Sequence, residues 1–147
     1  MNIEKRLILQ IGFFFGWLLV FPVYGPLLIK LGDIKSANTS DLATYFLVAH
    51  AATFFIGGWL FPQLVSKKNN PLWSLISLSL CLLSSLTFFL IPSEYWSIPT
   101  VITGISAVLF IFQWGLRFSS YVPSDRRIHV MAKGMILANI FYGLSIA

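Results

Sequence analysis

With 57% hydrophobic and 10% charged residues and a mean hydropathy of +0.82, this 147-residue chain cannot clothe a water-facing surface. A soluble domain carries roughly a quarter charged residues, so the outer surface is expected to meet lipid. The net charge of +5 would suit a nucleic acid, but the bases are scattered through short connections and form no single patch. That excludes nucleic acid as a partner of this segment, and the single cysteine, Cys81, excludes an internal disulfide or a multi-cysteine metal site.

The chain opens with Lys5 and Arg6, followed by an apolar run over Leu7–Leu31. This run is about twice the length of a signal-peptide core, and no small-x-small cleavage site follows it, so it reads as a retained first membrane span. Gly12 and Gly16, four apart, mark a face for close helix contact, and Pro22 and Pro26 are expected to bend the outer half. A polar connection, Gly32–Asp41, leads to a second run, Leu42–Val65, whose inner half is flattened by Gly57 and Gly58. After Ser66–Asn70 comes a third run, Pro71–Ile91, in which Ser74, Ser77, Cys81, Ser84 and Ser85 trace one small-residue face. Pro92–Ser97 leads to a fourth, Ile98–Tyr121, and Val122–Arg127 to a fifth, Ile128–Ala147. Each run has roughly the 20 apolar residues that cross a bilayer as a helix, and none alternates as a barrel strand would. The fold class expected is all-α: a polytopic helical membrane bundle of about five transmembrane helices in one domain, neighbours antiparallel. The fifth run continues to Ala147 without a polar tail, which reads as a portion of a larger bundle.

The positive-inside tendency sets the orientation. A cytoplasmic N-terminus places Lys5, Arg6, Lys67, Lys68, Arg117, Arg126, Arg127 and Lys133 at or near the inner face and leaves only Lys30 and Lys35 outside. Aromatic residues near the helix ends, among them Trp73, Tyr95, Trp96, Trp114 and Tyr121, suit the interface. The expected location is a cell membrane, of the bacterial inner-membrane type, crossed several times. Arg117 and Lys133 each lie about a turn inside a helix end, where long stems can snorkel outward.

Soluble-enzyme motifs are missing: there is no phosphate-binding glycine loop, no paired histidines at metal spacing and no nucleophile with an evident base. An enzyme is not expected, and no cofactor or metal is implied. The informative residues are polar ones at membrane depth. His50 falls about 12 Å below the outer end of the second span, by helical rise, and Gln113 a comparable distance above the inner end of the fourth. Asn139 lies near the middle of the fifth. The three could converge on a central cavity, as substrate sites do near the midplane of transporters; the plainer alternative is that each bonds a neighbouring helix.

The order of features resembles the N-terminal half of the major facilitator superfamily. Span one ends in Gly25-Pro26-Leu27-Leu28-Ile29-Lys30-Leu31-Gly32. Span two leads through Gly57-Gly58-Trp59-Leu60-Phe61-Pro62-Gln63-Leu64-Val65-Ser66-Lys67-Lys68 into span three, and span four exits through Tyr121-Val122-Pro123-Ser124-Asp125-Arg126-Arg127. In that family a glycine-containing basic loop joins spans two and three, here ending in Lys67 and Lys68, and a proline-to-arginine loop joins four and five, here ending in Arg126 and Arg127. The resemblance implies transport of a small solute by alternating access, completed by a second bundle half or a partner chain. The sequence departs at Pro62, where the family carries an aspartate that helps latch the two halves. That departure also fits a second group, in which a facilitator-like membrane domain senses a ligand for a LuxR-type helix-turn-helix regulator. A small membrane protein that only packs with a partner is the third reading.

Overall fold

A computed structural model describes residues 2–21, 25–65 and 71–146. Among them there is no strand; the chain forms α1 (Ile3–Val20), α2 (Pro26–Ile34), α3 (Leu42–Val65), α4 (Pro71–Leu90), α5 (Ser97–Tyr121) and α6 (Arg127–Ile146). Single 3₁₀ turns at Ser93–Tyr95 and Ser124–Arg126 lead into α5 and α6. Four helices, α3 to α6, are long and apolar enough to cross a membrane. Their solvent-side positions are apolar too: Val48, Phe55 and Trp59 on α3, Leu83 on α4 and Ile136 and Leu144 on α6 all lie exposed. Such a surface suits lipid and would be a liability in water.

The first predicted span is corrected: Leu7–Leu31 is not one helix. α1 begins at Ile3, with the Asn2 side chain accepting the Glu4 N–H at its start, and is capped at Phe21. A second helix then starts with Pro26 at its first position, where proline's missing N–H costs nothing. Gly25 allows the junction, because a Cβ there would overlap the Val20 carbonyl. Glu4, Lys5 and Arg6 all fall in the first turns of α1, which leaves it less than 18 uncharged residues. Pro22 lies outside the described residues.

α2 closes by a turn in which Ala37 N–H donates to Gly32 O (2.8 Å) and Ser36 N–H to Asp33 O (3.2 Å). This is a Schellman closure, and Ser36 takes the left-handed conformation (φ 51°) that glycine usually fills.

α5 is the hub. It packs against α3, α4 and, through its C-terminal half, α1, whereas α6 lies chiefly along α1. α1 and α6 run parallel, with Gly12 against Leu137, Gly16 against Phe141 and Gly134 against Ile11. α3 and α5 are also parallel, since Gly104 meets Phe46 and Ala49 near one end and Phe112 meets Gly57 farther on. α4 runs antiparallel to α5, joined by a buried Ser84 Oγ···Thr103 Oγ1 bond of 2.7 Å. Glycines and hydroxyls at these seams let backbones approach where no hydrophobic force draws helices together in lipid.

Two apolar cores result. The one nearer the N-terminus gathers Leu7, Phe14, Phe110, Trp114, Val122 and Val130, with Phe14 stacked on Phe110 at 4.4 Å. The one at the opposite end gathers Phe21, Leu28, Leu31, Leu42, Phe88 and Trp96, so α2 is folded onto the ends of α1, α4 and α5.

Candidate functional site

Polar side chains inside an apolar bundle are the places where chemistry can occur, because each must be satisfied or used. His50 is half-buried on α3, where its ring stacks on Phe46 (5.2 Å) and meets Phe54 edge-on (5.0 Å). Its Nδ1 lies 3.3 Å from the Gly104 carbonyl. A carbonyl only accepts, so that bond requires the proton on Nδ1. Gly104 makes the approach possible, since a Cβ there would stand 2.9 Å from the Phe46 carbonyl oxygen. His50 therefore belongs to the α3–α5 seam.

Gln113 is buried on α5, 4% exposed, and its Oε1 is sealed without a hydrogen-bond partner. Four residues on, the same is true of Arg117 Nη2. The guanidinium expected to snorkel outward is instead turned in at that nitrogen. Between the two, Trp114 Nε1–H donates to the Leu7 carbonyl (3.0 Å), closing the contact with α1.

Asn139 is corrected. It lies exposed on α6, with Nδ2 donating to Met135 O of its own helix (2.8 Å). The preceding residue, Ala138, is fully buried and points toward α1, and the 100° step of the helix turns Asn139 away from it. α3 and α6 share no extensive interface, so the expected common cavity of His50, Gln113 and Asn139 is not formed. His50 reaches α5 at Gly104, Gln113 is buried farther along that helix, and Asn139 stands apart.

Of the basic loop residues, Arg126 pairs with Glu4 at 2.9 Å, tying the start of α1 to the turn before α6. Arg127 donates to Val122 O (3.1 Å) and Ser119 O (2.8 Å), capping the end of α5. Lys67 and Lys68 lie outside the described residues. On α4, Ser74, Ser77, Cys81 and Ser84 are buried as a face, and Ser85 accepts from Trp17 Nε1 (3.0 Å).

A cleft of about 470 Å³ opens between the C-terminal half of α4 and the start of α5, lined by Leu83, Thr87, Ile91, Tyr95, Ile98 and Ile102 among others. It holds no charged group and suits an apolar occupant. Among the described residues no three His, Cys, Asp or Glu side chains come together as metal ligands would.

Sequence reasoning passed over two groups. The Gln113–Arg117 pair was legible, since i and i+4 share a helix face. The other is Lys35, whose Nζ donates to Phe88 O (3.0 Å), Phe89 O (3.2 Å) and Ile91 O (3.0 Å) at the end of α4. It also lies 5.6 Å from the Trp96 ring centre. No local pattern announces a contact 53 residues away.

Comparisons with family models, curated proteins and solved structures return no match.

Proposed function

We propose that this chain is a membrane-embedded part of a facilitator-like protein that moves a small solute by alternating access, in company with further helices. The N-terminus lies in the cytoplasm, and α1 makes a fifth crossing together with α3 to α6. The observation that supports this reading is the polar content of the hub helix: Gln113 is sealed within α5 without a partner, and His50 bonds the backbone of the same helix. Polar groups at such depth are expensive, and transporters use them where solute passes. The break between α1 and α2 adds to it, because interrupted helices are common in transport bundles.

The test needs no known solute. In a Cys81→Ser background, Gln113→Cys is treated with a membrane-impermeant maleimide in right-side-out and inside-out vesicles of the expressing cells. Labelling from both sides is the outcome expected of alternating access; protection from both sides sinks the proposal. Labelling from one side only favours the second reading, a ligand-sensing membrane domain, which the proline at position 62 supports in place of a latching aspartate.

A further inference from the structure

α6 is packed on one side only. Gly134, Leu137 and Phe141 meet α1, and Ala138 beside them is fully buried. The opposite side carries Ile128, Ala132, Ile136, Asn139 and Gly143, all exposed and spaced three or four apart, so that they form one stripe. A Cβ added at Gly143 would meet nothing within 4 Å. The stripe has no charge, and Asn139 is its one polar side chain.

Asn139 lies about 18 Å from the start of this 20-residue helix, far from either end of the span. Lipid offers an amide nothing to bond, and an unmet polar group there is costly. One N–H of Nδ2 donates to Met135 O. The other N–H and Oδ1 meet no group among the described residues. An amide left with one donor and one acceptor is self-complementary, since a second asparagine brought opposite can give an N–H and take one in return. Copies inserted the same way in one membrane are related by a twofold axis along its normal, which sets equal residue numbers at equal depth. A second α6 therefore brings its own Asn139 level with the first, whereas an unlike helix would need an amide of its own at that depth. Ala132 and Gly143, one on each side of Asn139 along the stripe, are small enough for the two backbones to come close.

We propose that the chain pairs with a second copy of itself through this face of α6, the two Asn139 amides bonding each other within the membrane. The pairing is independent of solute movement and requires only that the bundle lie in a membrane.

The experiment uses the whole chain. In a Cys81→Ser background, Ala132→Cys and Leu144→Cys are each oxidised in membranes of the expressing cells. Leu144 is also exposed, but the helical step from Gly143 turns it off the stripe. A disulfide-linked dimer is expected from Ala132→Cys and little from Leu144→Cys. Dimer affinity is then read in vesicles of neutral lipid, by energy transfer between copies labelled at the N-terminus as more lipid dilutes them. Asn139→Leu is expected to weaken pairing by about tenfold, the loss of inter-helix bonds in lipid. Gly143→Leu, which crowds the contact, weakens it as well, and Leu144→Ala leaves it within about twofold. The proposal is overturned if Ala132→Cys yields no dimer, for then lipid or an unlike helix covers the face. It is equally overturned if Leu144→Cys links as readily as Ala132→Cys, or if Asn139→Leu pairs as tightly as the native chain. A lower melting temperature of Asn139→Leu as diluted monomer in detergent also overturns it, because the amide would then be bonded within its own bundle.

Discussion

The two ends of the bundle handle a part-buried cation in opposite ways. At the end away from the N-terminus Lys35 donates to the carbonyls of Phe88, Phe89 and Ile91 at the close of α4 and lies against the Trp96 ring. At the end near the N-terminus Arg117 has a sealed Nη2 with nothing to bond. The helix terminus explains the first: its final carbonyls have no partner of their own and carry partial negative charge, so a lysine fits them in bonding and in sign. The middle of a helix face offers no such acceptors, because every carbonyl beside Arg117 is already bonded along α5. A satisfied cation ties elements of the fold together, and an unsatisfied one adds no such tie.

Lys35→Met is expected to have the largest effect, about 2–3 kcal/mol of lost stability, because it frees three carbonyls at once. A melt in neutral detergent measures it, and a loss below about 0.5 kcal/mol would remove the distinction between the ends. Trp114→Phe tests the bonded part of the end near the N-terminus and should cost about 1 kcal/mol through the lost Leu7 bond. Ser36→Gly should act in the other direction, raising stability by roughly 0.5–1 kcal/mol, since glycine adopts the left-handed closure of α2 without strain. Glu4→Gln should cost least, under about 1 kcal/mol, because its ion pair with Arg126 is partly exposed and weakens with salt. Against this series Arg117→Gln is expected to leave the melting temperature nearly unchanged, since its Nη2 makes no bond.

Most of the helical plan was legible because a membrane span must be long and apolar, and both properties are local. The runs from Leu42 onward became α3 to α6 with ends within a residue or so of those expected, as far as the described residues extend. The first run failed because its apolar composition continues past Val20, where α1 ends, to Pro26, where α2 begins. Pro26 held the clue, being better read as the start of a helix than as a bend in one. The small-residue face of α4 was legible as packing, and Ser74, Ser77, Cys81 and Ser84 are indeed buried. The candidate site was less legible. Position along a helix could be counted for His50, Gln113 and Asn139, but counting does not give rotation. Ala138 and Asn139 are neighbours in sequence, and the seam of α6 with α1 buries one and exposes the other.

By itself the sequence determined a helical, lipid-facing chain, the extent of its long helices and the charge difference between its ends, since these follow from hydropathy and from counting residues along the chain. Only the tertiary structure decided which helix became the hub, that α1 pairs with α6 and α3 with α5, that Lys35 closes α4, and that Arg117 turns a nitrogen inward beside Gln113. Those outcomes depend on how each helix rotates about its axis and on contacts between residues far apart in sequence, and a helix that is apolar on nearly every side carries little of that information in its own pattern.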